Sequence, residues 1–188
     1  VTQQNTAMKN VILFLMIFIN VFKIYGQISI SDTITDTITD CSIYIKHDYI
    51  EGIIFTGNCP INKPINKKYV RWDPGVADII IVENYIKDFI NKKSKNHIKD
   101  TSEDYPLINQ NLENYKRQYI GYLNKRGQKI IYVNFIWYDY KQDRSIFSIW
   151  KEGWIFGYNQ GTKIWEIKVN LDKHKCFDYF VNKVKKNK

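Results

Sequence analysis

A chain of 188 residues with 44% hydrophobic and 25% charged residues has the balance of a globular protein, with room for one domain and appendages. That balance excludes a disordered or fibrous chain. Its 28 basic residues outnumber 19 acidic ones, for a net charge of +9, a surplus that often accompanies nucleic-acid binding. Residues 1–26 hold Lys9, Lys23 and no acid, so most of the excess belongs to the remainder.

Residues 1–7 are polar. Met8-Lys-Asn then leads into an apolar run over residues 11–22, broken by Asn20 and followed by the small Gly26. A basic start, a short apolar run and a small residue form the pattern of a secretory signal peptide. Translation is expected to start at Met8 and cleavage to follow Gly26. The run is shorter than the roughly 20 residues that span a bilayer, so no stable membrane span is expected after cleavage. Retention as an anchor is the alternative, because Ile24 is not small. The expected location is outside the cytoplasm: periplasm, cell surface or medium. That address argues against nucleic acid as a partner.

Residues 32–40 repeat Thr-Ile-Thr-Asp twice. The alternation suits an edge strand, but the threonine-rich composition favours a tether. Pro60 and Pro64 mark an irregular lead-in. The expected organisation is therefore a signal peptide at 1–26, a tether and irregular lead-in at 27–60, and a single α+β domain at 61–188. In an oxidising compartment Cys41 and Cys59 are placed to pair, leaving Cys176 odd; three free thiols are the alternative.

Asp73-Pro74 reads as a helix start, with Asp as N-cap and Pro at the first helical position. Ile79, Val82, Ile86, Phe89 and Ile90 then share one face of a helix that ends near Lys92 and Lys93. Residues 94–113 read as a loop. Two hairpins follow. The first joins Tyr115–Leu123 to residues 129–138 through a turn ending in Gly127. The second joins residues 154–158 to residues 163–171 through a turn ending in Gly161. In its outgoing arm Trp165, Ile167, Val169 and Leu171 alternate with Ile164, Glu166, Lys168 and Asn170. The element order predicts one long helix packed on a curved antiparallel sheet of about four strands, of the cystatin-like or NTF2-like kind.

Three stretches, Tyr115-Lys-Arg-Gln-Tyr-Ile-Gly-Tyr, Gly127-Gln-Lys-Ile-Ile-Tyr-Val-Asn-Phe and Trp165-Glu-Ile-Lys-Val-Asn-Leu, resemble a set of small exported proteins from Bacteroidota with no assigned role. The resemblance implies an exported bacterial protein and supplies no catalytic residues.

No Gly-rich phosphate loop, serine elbow or dinucleotide fingerprint is present, so no cofactor is expected. His47, His97 and His174 are scattered, and His174 with Cys176 is too small a set for zinc, so no metal is expected. Asp73, Asp78, Glu83, Asp139, Asp143, Glu152 and Glu166 are the carboxylates a glycan hydrolase would draw on. Such an enzyme needs two of them facing each other, and the sequence pairs none. No catalytic residue is assigned. Tyr138, Trp150, Trp154 and Tyr158 lie near strand ends and turns, as candidates to hold a sugar ring or an anionic polymer. Core and cross-strand packing is the preferred reading for most of them. The reading leans away from an enzyme, towards an exported domain that binds a ligand or partner. An envelope-associated glycan hydrolase and an immunity-type or structural interaction module are the alternatives.

Overall fold

The computed structural model describes residues 33–61, 65–94, 107–138, 149–157 and 161–181, all within one unit spanning 32–188. The signal peptide, His97, Asp139, Asp143, Tyr158 and the tail beyond 181 lie outside the described residues.

β5 (Tyr115–Leu123) and β6 (Lys129–Trp137) form the central hairpin, in register from Tyr115 opposite Trp137 to Leu123 opposite Lys129. Gly127 takes a φ of 72° in the turn, a conformation only glycine adopts cheaply. β7 (Ile164–Asn170) pairs antiparallel with β6, and β8 (Lys175–Val181) with β7. On the other side, β1 (Ile34–Thr39), β2 (Ser42–His47) and β3 (Ile50–Phe55) form a meander. β3 then runs parallel to β5. β4 (Arg71–Trp72) pairs with the end of β5, and α1 (Val76–Ser94) lies in the crossover that a parallel pair requires.

The expected fold is therefore corrected. Among the described residues the sheet is mixed and has eight strands in place of about four antiparallel ones, and these residues are mostly β. Most of the difference lies in residues 34–55, where a tether and an irregular lead-in were expected and the three strands β1, β2 and β3 are found. The Thr-Ile-Thr-Asp composition carries no packing signal of its own; β2 beside it recruits the strand. A disulfide joins Cys41, in the β1–β2 turn, to Cys59 beyond β3.

The central strands β3, β5, β6 and β7 are buried on both faces. Against one face α1 lays Ile79, Val82, Ile86 and Ile90 onto Ile45, Ile54, Tyr119, Val133, Trp165 and Ile167. On the other, Trp150, Trp154 and Ile155 cover Ile53, Phe55, Ile120, Tyr132 and Ile164. Double burial explains the unbroken apolar runs Ile53-Ile54-Phe55 and Ile130-Ile131-Tyr132-Val133, since both sides of the strand need hydrophobes. Each large side chain so buried contributes about 1.5–3 kcal/mol.

Two local expectations also change. Residues 154–157 form no strand; they cross the outer face as irregular chain, and β7 takes its partners from β6 and β8. Asp73 does not cap the helix. Its Oδ1 accepts from the Gly57 amide at 2.5 Å, while Asp78 Oδ2 accepts from the Gly75 amide at 2.9 Å just before the first turn.

Candidate functional site

The chemistry-bearing side chains divide into two buried networks and one exposed edge. The inner network lies between α1 and the sheet. Glu83 sits in register with Ile79, Ile86 and Ile90 on the apolar stripe of α1 and is 1% exposed; Arg117, between Tyr115 and Tyr119 on β5, is 0% exposed. Arg117 Nε faces Glu83 Oε2 at 3.5 Å. Its remaining nitrogens donate to three backbone carbonyls: Tyr49 at 3.1 Å, Tyr115 at 2.5 Å and Leu112 at 2.8 Å. The Tyr119 hydroxyl donates to Glu83 Oε1 at 2.7 Å. The guanidinium also lies over the rings of Tyr49 and Phe135. Burial, reinforced by the Glu83 charge, holds the Tyr119 hydroxyl well above its ordinary pKa and pushes that of Tyr49 to about 12. Enclosed on every side, the Glu83 carboxylate positions Arg117 and through it the chain at Tyr49 and Leu112. It has no route to a substrate.

The outer network fastens the covering chain to the sheet. Gln118 Nε2 donates to the carbonyls of Trp150 and Gly153, both at 2.7 Å, and Gln118 Oε1 accepts from the Ile155 amide at 2.9 Å. Asn134 Nδ2 donates to Gln118 Oε1 at 3.0 Å and to the Ile155 carbonyl at 2.8 Å. These amides replace the strand pairing that residues 154–157 lack.

The aromatic residues named as candidates to face a ligand have other surroundings. Trp150 and Trp154 are buried, 3% and 7% exposed, in keeping with the preferred core reading and not with an exposed binding surface; Trp154 packs on Tyr132 with centroids 5.2 Å apart. They belong inside because the chain that carries them is the lid of the outer core. Tyr138 is half-buried with Lys116 Nζ 4.6 Å from its ring centroid. Tyr158 lies outside the described residues.

The other groups singled out by sequence are spread over the surface. The Tyr132 hydroxyl donates to Glu166, and Glu152 is exposed. His47 bonds Thr33 at 2.8 Å, and His174 stacks on Tyr85. Burial, with Asp88 nearby, pushes the Cys176 thiol up to about 12, which keeps it protonated and poorly nucleophilic. Among the described residues no three potential metal ligands converge.

Of the two edge strands among the described residues, β1 and β8, the more exposed is β1. All six of its residues are exposed, including Ile34 at 59% and Ile38 at 37%, and among the described residues only β2 pairs with it. The strand is nevertheless held at both ends. Thr33 bonds His47 at one end, and at the other Thr39 Oγ1 meets Ser42 Oγ at 2.7 Å. The Cys41–Cys59 disulfide ties the turn to the body of the sheet, where Thr56 donates twice to the Cys41 carbonyl. At the neighbouring strands Lys116 pairs with Glu51, and Lys151 lies 4.5 Å from the ring centroid of Tyr44. Burial would raise the Glu51 carboxyl, but Lys116, Tyr44 and Lys46 together outweigh it and hold the group below its ordinary pKa.

Sequence reading missed the Glu83–Arg117 pair although a signal was present. Glu83 occupies a core position of the helical period, and Arg117 occupies a core position of the alternating stripe Tyr115, Arg117, Tyr119. Two opposite charges at core positions of neighbouring elements call for each other.

The fold and its exposed edge define a mostly β domain whose described residues form a mixed sheet, one α-helix and an outer strand open along one side. No protein family, curated protein or solved structure matches the chain. No helix among the described residues is long and apolar enough to cross a membrane.

Proposed function

We propose that this chain is an exported, non-enzymatic interaction domain that takes a strand from a protein partner along the outer edge of β1. The observation that carries the reading is β1 itself: exposed along its whole length, alternating in sequence, and anchored at both ends. Such an edge offers a row of backbone donors and acceptors at a fixed register, which is what strand addition uses. A mobile edge would lose more entropy on binding, so the disulfide and the threonine contacts favour association. The disulfide also supports export, because such bonds persist in oxidising compartments. The signal-type sequence over residues 8–26 supports the same address.

The test places a photo-crosslinking residue at Thr35 or Thr37 of the exported protein, with Lys92 on α1 as the control position. Thr35→Pro and Asp36→Pro are then compared. Alternate amides point to opposite sides of a strand, so only one of the two prolines removes an outward donor while sparing the β1–β2 ladder. A partner crosslinked from β1 and lost in the proline variant that keeps its melting temperature is the expected result. Equal crosslinking from Lys92, or capture that survives that proline, refutes strand addition.

A further inference from the structure

The β5–β6 turn and the loop that leads into β4 enclose a cleft of about 370 Å³, within the range of small-ligand sites. The Leu123 amide joins its two walls by donating to the Val70 carbonyl at 2.8 Å. Each wall is braced internally. Asn66 accepts from the Lys68 amide through its side chain at 3.0 Å and from the Tyr69 amide through its carbonyl at 2.9 Å. Asn124 Oδ1 accepts from the amides of Arg126 at 2.8 Å and Gln128 at 3.1 Å. The cleft is thus a braced cavity between two hydrogen-bonded turns.

Its lining combines two chemistries. Tyr69, packed on Tyr122 with centroids 5.1 Å apart, joins Leu123 and Val70 in an apolar surface, and Val70 is 65% exposed at the rim. Lys68 and Lys125 stand on opposite walls, with Lys67 and Arg126 next to them in the same turns. Among the described residues these four cations have neither an ion pair nor a ring beneath them. Elsewhere Lys116 and Lys168 are paired with acids and Lys87, Lys93, Lys129 and Lys151 lie over aromatic rings, while Lys46, Lys92, Lys163, Lys173 and Lys175 share the lack of either contact among the described residues. Among the described residues no carboxylate lines the cleft.

We infer that this cleft binds an acidic carbohydrate, a glycan strand bearing carboxylate or sulfate groups. The apolar surface receives the C–H face of a sugar ring, and the flanking ammonium groups pair with its anionic substituents. A small inorganic anion would leave the apolar surface unused. The inference requires nothing of β1, which lies at the edge of the sheet beyond β2 and β3.

The exported protein is titrated calorimetrically with heparin, polygalacturonate, neutral dextran and inorganic phosphate, and sedimented with vesicles of phosphatidylglycerol in phosphatidylcholine. Lys68→Glu with Lys125→Glu is compared with Lys46→Glu with Lys92→Glu, which changes net charge equally at exposed sites away from the cleft. Binding to one of the acidic glycans, weakened at least tenfold by the cleft pair and less than threefold by the control pair, is the expected result. It should also weaken with added salt. Equal losses in the two pairs would reduce the effect to general polyelectrolyte attraction and overturn the site. Binding to dextran as tight as to the acidic glycans, to phosphate alone, or to vesicles without glycan binding would overturn the ligand class. Absence of binding to both acidic glycans would overturn the inference outright.

Discussion

Glu83→Gln isolates the buried charge pair with little change in shape. The amide keeps an oxygen for the Tyr119 hydroxyl, now at 2.7 Å from Oε1, and removes the charge facing Arg117 at 3.5 Å. Arg117 is then a buried cation with three carbonyls and two ring faces but no counter-ion. Orphaning one member of a buried pair costs about 3–5 kcal/mol, and the retained carbonyls place the loss at the low end, about 3 kcal/mol. For a domain of this size that is about 6–12 °C in Tm. Urea unfolding followed by tryptophan fluorescence measures the loss, and the m-value checks that the denatured state is unchanged. Arg117→Met should cost more than Glu83→Gln, because it also abandons the carbonyls of Tyr49, Tyr115 and Leu112. In the double variant the coupling energy should be at least about 1 kcal/mol. A loss below about 1 kcal/mol for Glu83→Gln, or additive single effects, would show that attraction to Glu83 is not what holds Arg117 in place.

Three further outcomes are expected. Cys41→Ser with Cys59→Ser, or reduction of the native protein, should lower stability by about 3 kcal/mol, the magnitude for a loop of this length, read as a lower urea midpoint. Gly52→Ala should destabilise by about 1–3 kcal/mol, because its Cβ would stand 2.6 Å from Tyr119 Cε2 and 2.9 Å from the Arg117 carbonyl oxygen. Gly153→Ala, with open space around it, is the control in the same urea series. The pH profile of stability should fall at both ends. Tyr44, Tyr49 and Tyr179 are pushed up to about 12 by burial, so their contribution is complete below the unfolded value near 10 and is lost as the pH rises towards 12. Glu51 is held down, so its contribution is present above the ordinary carboxylate range and lost as the pH falls through its folded value. Thermal melts across pH, with tyrosinate absorbance at the alkaline end, test both limbs.

The central hairpin, α1 and the alternation of β7 were legible because each declares itself within a few residues. Tyr115–Leu123 and Lys129–Trp137 are rich in β-branched and aromatic residues on either side of a turn. Ile79, Val82, Ile86 and Ile90 keep the helical period, and Trp165, Ile167 and Val169 keep the strand period. β1 was not legible in the same way, since a polar alternating repeat suits a tether as well as an edge strand until β2 stands beside it. For Trp150 and Trp154 a binding role stayed open beside the preferred core reading, because nothing local distinguishes an exposed turn from a chain laid across an outer face.

The amino-acid sequence by itself determined the local periods, the glycine-bearing turn at 124–127, and the choice of residues too apolar to face water. Tertiary structure alone decided that β3 lies parallel to β5, that the central strands are covered on both faces, and that Glu83 meets Arg117. It also decided that Lys68 and Lys125 come to line one cleft. The physical reason is range: periodicity and turn preference act between neighbours in the chain. Strand order, double burial and ion pairing depend on which distant segments come to share a face, and that is settled by the packing of the whole domain.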